Sequence, residues 1–326
     1  MVESPNVLVT RRPPGQALDI LERSCSIDLW EEDRVMPRGE LLERVKGADG
    51  LYSMLTDTID DELFDVAASL RAISQMAVGV DNVDLAAATG RAIPVGHTPD
   101  VLNETTADTV FGLLLASVRR IEEGAAFVKA GLWGPWRPDL LLGGDLHHTT
   151  LGIVGMGRIG SAIARRARGF DVNILYSNRR PDPAAERQLG AEYRAFDDLL
   201  RESDHVVVMA PLNDGTYHLI DEAALRLMKP TATLVNGSRG GLVDPAALER
   251  ALREGWIAGA ALDVTEPEPI PFDHPLLKLD NCLIIPHLGS ASVGTRLAMA
   301  ELAAENLLAG LAGRRMPACA NPEVYE

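Results

Sequence analysis

Cysteine is scarce in this chain: Cys25, Cys282 and Cys319 are the only three in 326 residues. They are odd in number and far apart, which argues against a disulfide framework and for free thiols in a reducing compartment. The adjacent pair His147-His148 does not supply a metal site instead. Neighbours on an extended chain face opposite ways, and no nearby cluster completes a ligand set. Positive charge is also in deficit, with 31 Lys and Arg against 47 Asp and Glu and a net charge of -16. With a sequence pI near 4.9, nonspecific binding to nucleic acid or to an anionic membrane is disfavoured. An anionic substrate must therefore find a local group of arginines or backbone amides. No run approaches the 18 or so apolar residues of a membrane span, and the N-terminal residues lack a signal-like apolar core. The expected location is the cytoplasm. Repeats and low-complexity segments are absent as well.

What the chain does have is a glycine-rich turn in its middle, LGIVGMGRIG at 151–160. A short apolar run suited to a buried parallel strand leads into Gly155, Gly157 and Gly160, and SAIARRARGF continues at helical spacing. In this G-x-G-x-x-G arrangement the first glycine permits the tight turn. The second lets backbone approach a pyrophosphate, and the third lets helix pack closely on strand. The N–H groups opening the helix, at Arg158, Ile159 and Gly160, then face the phosphates, aided by the helix dipole.

Before this turn, apolar runs at 6–10, 25–30, 50–55 and 72–78 alternate with helical patterns at 17–22, 38–45 and 60–69. Thr56-Asp57-Thr58 reads as the N-cap region of the last of these. Such alternation is the pattern of a small α/β unit with a parallel sheet. A long helical stretch starts near Asn103. Strands are then predicted at 172–176, 191–193, 205–210, 232–236, 258–264 and 282–285, with helices at 183–189, 196–202, 222–227 and 245–254. A closing helix spans 297–311. The expected fold is α/β, with two doubly wound parallel-sheet domains. A Rossmann dinucleotide domain, residues 103–289, is inserted into a flavodoxin-like substrate domain built from 1–102 plus 290–326. A ligand cleft is expected between them.

An NAD-type fold places Asp or Glu about 20 residues after the glycines, on the ribose 2′-OH. Here the strand runs into Ser177-Asn178-Arg179-Arg180, with no carboxylate and two guanidiniums. An acid would repel a 2′-phosphate, whereas an arginine grips one through charge-assisted bonds worth about 1.5–3 kcal/mol each. NADP(H) is the expected cofactor, with NAD(H) possible.

Three patches carry groups suited to hydride chemistry, each after a predicted strand. In NGSRGG at 236–241, Arg239 can bind a carboxylate in a bidentate fork and polarise an adjacent carbonyl. In DVTEPEP at 263–269, Glu268 offers a carboxylate. In PHLGS at 286–290, His287 can deliver the proton that accompanies hydride transfer, and a neighbouring carboxylate would orient its ring. Taken singly each has an ordinary structural reading; together, on one nucleotide fold, they point to catalysis. Gly79, just beyond the fourth predicted strand, has exposed N–H groups beside it that can donate to a carboxylate. Aromatic residues are only 5% of the chain, yet two of four tryptophans, Trp133 and Trp136, share one Pro/Gly loop. Such a loop suits an interface or a pocket wall.

These motifs resemble the D-isomer-specific 2-hydroxyacid dehydrogenase family over nearly the whole chain. The resemblance rests on GMGRIG at 155–160, NGSRGGLVD at 236–244, GAALDVTEPEP at 259–269, PHLGS at 286–290 and AVGVDNVD at 77–84. It implies Arg239, Glu268 and His287 as catalytic residues; the family's Glu-Pro falls on Glu268-Pro269, not on Glu266. It implies Val78 and Gly79 as the substrate-carboxylate loop. The candidate cofactor contacts are Gly155, Gly157, Arg158, Ile159, Gly160, Ser177, Asn178, Arg179, Arg180, Ala210, Pro211, Gly237, Ser238, Asp263, Gly289 and Ser290. The candidate substrate contacts are Val78, Gly79, Leu55, Arg239, His287 and Trp136.

Within the family the chain is most similar to glyoxylate/hydroxypyruvate reductases and 2-ketogluconate reductases. TPDVLNETTAD at 98–108, LYSNRRP at 175–181 and the tryptophan loop carry that likeness. The resemblance implies NADPH-dependent reduction of small 2-keto acids to D-2-hydroxy acids by a homodimer, with Trp136 reaching the partner's site. Alternatives are a 2-ketogluconate reductase, an NAD-dependent D-2-hydroxyacid dehydrogenase, or a dinucleotide-sensing corepressor without turnover.

Overall fold

The structure, a computed structural model, describes residues 4–326. Residues 1–3, assigned above to the outer domain, lie outside the described residues. The chain divides into two compact units, Met1–Leu102 with Ala291–Glu326, and Asn103–Ser290.

In the first unit, strands β1 (Asn6–Val9), β2 (Ser26–Leu29), β3 (Gly50–Ser53), β4 (Ala72–Gln75) and β5 (Val95–Gly96) form one parallel sheet, ordered β2-β1-β3-β4-β5. All residues of β3 and β4 are buried, the polar Ser53, Ser74 and Gln75 included, as befits central strands of a parallel sheet covered on both faces. The C-terminal helix Val293–Leu311 packs on this sheet through small residues. A Cβ at Gly310 would sit 2.8 Å from Ala72, and one at Gly96 would sit 2.6 Å from Asn306. Tyr52 donates its hydroxyl to Ala300 O at 3.1 Å. Asn321 completes the join, accepting from Val95 N at 2.8 Å and donating to Ile93 O at 3.0 Å. Both chain ends therefore build this unit.

Three local expectations need correcting here. Thr56-Asp57-Thr58 does not cap the following helix; Asp60 does, accepting from Leu63 N at the start of Asp61–Val66. Asp57 turns inward instead, as described below. The short strand β5 and the helix Leu85–Gly90, capped by Asp84, also form where no element was assigned. A strand of two residues carries no periodicity to read.

In the second unit, β6 (Thr150–Val154), β7 (Asn173–Ser177), β8 (Glu192–Tyr193), β9 (His205–Val208), β10 (Thr233–Asn236), β11 (Gly259–Leu262) and β12 (Cys282–Ile284) are parallel, in the order β12-β11-β10-β9-β6-β7-β8. Apolar clusters cover both sheet faces. One gathers Leu234, Leu248 and Leu252, the other Leu114, Leu151 and Ile163. The order reverses between β6 and β9, so the crevice beyond their carboxyl ends is where a doubly wound sheet binds ligands. Among the described residues, no helix is long and apolar enough to cross a membrane.

Candidate active site

The glycine turn leaves β6 and enters the helix Arg158–Ala167 at the point of reversal. Gly155 has φ +101°, and a Cβ there would lie 2.6 Å from Ala210 N on the loop after β9. A Cβ at Gly160 would lie 2.3 Å from Gly155 O. Gly157 differs, because no heavy atom beyond its local backbone comes within 4 Å of the position its Cβ would take. The protein's own packing thus demands two of the three glycines, and the middle one faces open space. The helix starting at Arg158 has no side-chain cap, whereas Asp182, Asp221 and Asp244 cap other helices of this unit. An open, uncapped cradle of this kind fits a dinucleotide pyrophosphate.

At the end of β7, Ser177 O accepts from Gly155 N at 3.0 Å. Asn178 Oδ1 accepts from Met156 N at 2.7 Å. These two candidates therefore brace the glycine turn from the side. Arg179 and Arg180 follow, both exposed.

Beyond β9 and β10, Ser238 Oγ donates to Ala210 O at 2.6 Å, tying the two loops together; Pro211 follows on an exposed turn. Asn236 Nδ2 donates to Arg239 O at 2.8 Å, and its Oδ1 accepts from Ser238 N at 3.2 Å. Arg239 Nη1 donates to Ser238 O at 3.0 Å. Gly237 is buried against the helix Asn103–Val118, where a Cβ would meet Val110 at 2.3 Å. Ile159 likewise packs its side chain against the core, leaving backbone as its ligand-facing part.

The ends of β11 and β12 come together most tightly. Asp263 is buried, and its oxygens accept from Leu288 N at 2.6 Å and Gly289 N at 2.8 Å. Burial pushes the Asp263 carboxyl above its usual range, although both N–H groups and His287 pull against it. His287 sits at φ +52°, uncommon for a residue with a side chain. Its N–H donates to Asp263 O at 2.8 Å, which helps hold it there. Its Nδ1 lies 2.6 Å from Glu268 Oε1. Burial pushes the Glu268 carboxyl up, but the bond to His287, that residue's charge and Arg239 outweigh it and hold the group below the usual carboxylate range. An ionised Glu268 accepting at Nδ1 leaves Nε2 as the free ring nitrogen. The side chains of His287 and Glu268 are 26% and 35% exposed, so the pair can meet a ligand. Ser290, half-buried, ends the unit.

Of the remaining substrate candidates, Leu55, Val78 and Gly79 lie in the other unit, and Trp136 lies in this one. Leu55 follows β3, and Val78-Gly79 follows β4. Val78 O accepts from His97 Nδ1 at 3.0 Å, and Gly79 O accepts from Gln75 Nε2 at 2.6 Å. Asn82 links the two loops by donating to Asp57 O at 2.7 Å and Gln75 Oε1 at 2.7 Å. The buried Asp57 carboxylate accepts from Thr10 Oγ1 at 2.5 Å and Met54 N at 2.8 Å. Desolvation nevertheless pushes its carboxyl up. Trp133 and Trp136 are 69% and 83% exposed.

Sequence reasoning missed two groups. The Asp57–Gln75–Asn82 cluster joins residues whose spacing carries no motif. The second is a histidine–carboxylate pair within the other unit, His218 Nε2 to Glu266 Oε2 at 2.6 Å, across 48 positions of sequence.

Comparison with known proteins gives a consistent picture. The family described as D-isomer specific 2-hydroxyacid dehydrogenase, NAD binding domain, matches residues 111–289. A glyoxylate reductase of Korarchaeum cryptofilum is 52% identical over 325 residues, covering 99% of this chain and 97% of that one. A glyoxylate reductase of Pyrococcus furiosus is 49% identical over 326 residues, with 99% and 97% covered. Among solved structures, an NADPH-dependent glyoxylate/hydroxypyruvate reductase of Sinorhizobium meliloti, in complex with NADP and malonate, is 32% identical. It superposes with a TM-score of 0.87, covering 98% of each chain.

Proposed function

The chain belongs to the D-isomer specific 2-hydroxyacid dehydrogenase family, and from that premise we propose that it reduces small 2-keto acids with NADPH, glyoxylate to glycolate and hydroxypyruvate to D-glycerate. The observation that carries the proposal is the 2.6 Å bond between His287 and Glu268, in the same unit as an open glycine cradle. The glyoxylate reductases of matching length support the substrate class.

In this reading residues 103–289 bind the dinucleotide, and 1–102 with 290–326 bind substrate. The cradle at Gly155, Gly157 and Gly160 takes the pyrophosphate through the helix-opening amides of Arg158 and Ile159. Arg179 and Arg180 take the 2′-phosphate, and the loops at Ala210-Pro211, Gly237-Ser238, Asp263 and Gly289-Ser290 line the rest. When bound, the reduced nicotinamide supplies the hydride. Arg239 holds the substrate carboxylate and polarises its keto oxygen, with the amides of Val78 and Gly79 and the Leu55 loop completing the grip. His287 gives its Nε2 proton to that oxygen, and Glu268 stabilises the charged ring beforehand and orients it. Overall, a 2-keto acid, NADPH and a proton become a D-2-hydroxy acid and NADP+.

Two further parts belong to the proposal. The chain works as a homodimer, with the exposed Trp136 reaching a partner's substrate. It resides in the cytoplasm, where its three unpaired thiols stay reduced. The test is a kcat/KM panel of 2-keto acids, each with NADPH and NADH, together with sedimentation. Turnover of glyoxylate or hydroxypyruvate with NADPH favoured is the expected result. A protein that binds dinucleotide but reduces no 2-keto acid would overturn the reading.

A further inference from the structure

The second histidine–carboxylate pair, His218 with Glu266, sits two residues along the chain from Glu268, on the turn that carries it. Both side chains are about a third exposed or less, at 29% and 33%. Tyr217 stacks on the His218 ring, with centroids 4.0 Å apart and planes at 17°, and the Glu266 carboxylate bears on the Tyr217 phenol.

The pair closes a stack of three loops. Residues 216–220 follow β9, residues 239–244 follow β10 and residues 264–269 follow β11. The first two are fastened through backbone: His218 N donates to Gly241 O at 2.8 Å and Ile220 N to Leu242 O at 2.9 Å. The second and third are in hard contact. A Cβ at Gly240, next to Arg239, would lie 1.9 Å from Thr265 O and 2.7 Å from Glu266 N. The His218–Glu266 bond then spans from the first loop to the third, around the middle one. His218 reaches it from φ +50°. Backbone in that region is kept only where its surroundings over-determine it.

The consequence falls on Glu268. Its turn is compact, with Thr265 Oγ1 donating to Pro267 O at 2.9 Å and Thr265 N reaching Glu268 Oε2 at 3.4 Å. On one side Glu266 anchors it to His218, and on the other Glu268 meets His287. We infer that His218 and Glu266 are a positioning pair, holding the 264–269 turn so that Glu268 stays in hydrogen-bonding register with His287 beside the Arg239 loop. This inference rests on the proposed role of Glu268 and His287 in proton delivery. Neither His218 nor Glu266 needs to touch substrate. Around the pair, Glu266 and Asp244 act on Tyr217, while His287 and Arg239 act on Glu268 at the end of the same turn.

Misplacing a catalytic group by about 1 Å costs roughly 10²-fold. Glu266→Ala and His218→Ala should each lower kcat on the order of 10- to 100-fold, with keto-acid KM and NADPH affinity changed less than about threefold. The double variant should lose no more than either single one, because both remove the same bond. Glu266→Gln, which keeps an acceptor for the His218 ring, should recover most of kcat. The pH profile of kcat in Glu266→Ala should also lose its dependence on the Glu268–His287 pair. A second readout needs no turnover. In protein labelled at its histidines, the ring N–H resonance of His287, identified by its loss in His287→Ala, should broaden or shift in Glu266→Ala. It should stay in place in Glu266→Gln.

An unchanged His287 resonance and wild-type kcat in Glu266→Ala would overturn the positioning role, even if its melting temperature fell. Glu268→Gln, measured alongside, separates that failure from the larger one. If Glu268→Gln loses turnover while Glu266→Ala keeps it, only the positioning role falls. If Glu268→Gln turns over normally, the proton-delivery reading falls and the positioning role falls with it.

Discussion

A Cβ on Gly160 would lie 2.3 Å from the carbonyl oxygen of Gly155, yet one on Gly157, on the same turn, would have no heavy atom beyond its local backbone within 4 Å. The two positions therefore fail in different ways. Gly160→Ala forces backbone apart, a cost of about 1–3 kcal/mol for overpacking, only partly offset by the better helix propensity of alanine, about 1 kcal/mol. It should lower the melting temperature. Gly157→Ala, at φ -86°, should fold normally. Its dinucleotide affinity should drop at least about tenfold, equivalent to roughly 1.4 kcal/mol, because the methyl occupies the approach to the cradle. Thermal melts and NADPH fluorescence titration read the two effects. A Gly157→Ala protein with wild-type affinity would show that the open space is not where the dinucleotide binds.

The depressed Glu268 carboxyl gives a pH dependence with a definite sign. Burial raises it, but His287 lowers it further, so the carboxylate persists below the usual carboxylate range. Its contribution to folding is complete above the unfolded value and is lost as pH falls through the lower, folded one. The stability gap between wild type and Glu268→Gln should therefore narrow on acidification. Activity should show the same pairing: His287→Ala should lose roughly 10²–10⁴-fold in kcat, the usual worth of a positioned general acid, while still binding NADPH. Glu268→Gln should fall in the same direction. Near wild-type turnover in His287→Ala would remove it from the mechanism.

Asp263 gives a third expectation, since it carries the loop on which His287 sits. Asp263→Ala takes away the acceptor for Leu288 N and Gly289 N. Gly289 is buried, and an orphaned buried N–H costs about 1–3 kcal/mol. For a unit of this size that lowers the melting midpoint by roughly 2–4 °C per kcal/mol. Freed from this support, His287 should leave its left-handed backbone conformation and kcat should drop. An unchanged midpoint would mean that solvent satisfies both amides in the native state.

Local chemistry explains which parts of this fold were legible in the sequence. The helices Pro183–Leu189 and Pro245–Glu254 begin with an Asp cap and Pro, and end at Gly190 and Gly255 in the left-handed region. All of those signals lie within the helix or beside it, so both sets of bounds can be read directly. Strand β5 has two residues and is placed by its partners. Asp57 looked like a cap because Asp near a helix start usually is one, but Thr10 and Met54 draw it inward. The bond between His218 and Glu266 depends on two loops meeting after separate strands, which no spacing encodes. For Glu268 and His287, 19 positions apart, motif resemblance named both residues, but their bond is a property of the folded sheet.

The proposed NADPH preference rests on Arg179 and Arg180, which follow β7 next to the glycine turn. Both are exposed, so their attraction for a 2′-phosphate is open to salt, with a screening length of about 8 Å at physiological ionic strength. Two charge-assisted contacts at about 1.5–3 kcal/mol each mean that Arg179→Ala with Arg180→Ala should weaken NADPH binding at least 10- to 100-fold. NADH, which lacks the phosphate, should change less than about threefold. Raising salt should weaken NADPH in the wild type and have little further effect in the double variant. Asn178→Asp supplies the converse: Asp retains the acceptor that holds Met156 N at 2.7 Å, so the turn survives, while the added negative charge repels a 2′-phosphate and favours NADH. Titrations of each variant with both dinucleotides, at two salt concentrations, decide the matter. Equal weakening of NADPH and NADH by the arginine substitutions would mean that these residues support the turn rather than select the cofactor.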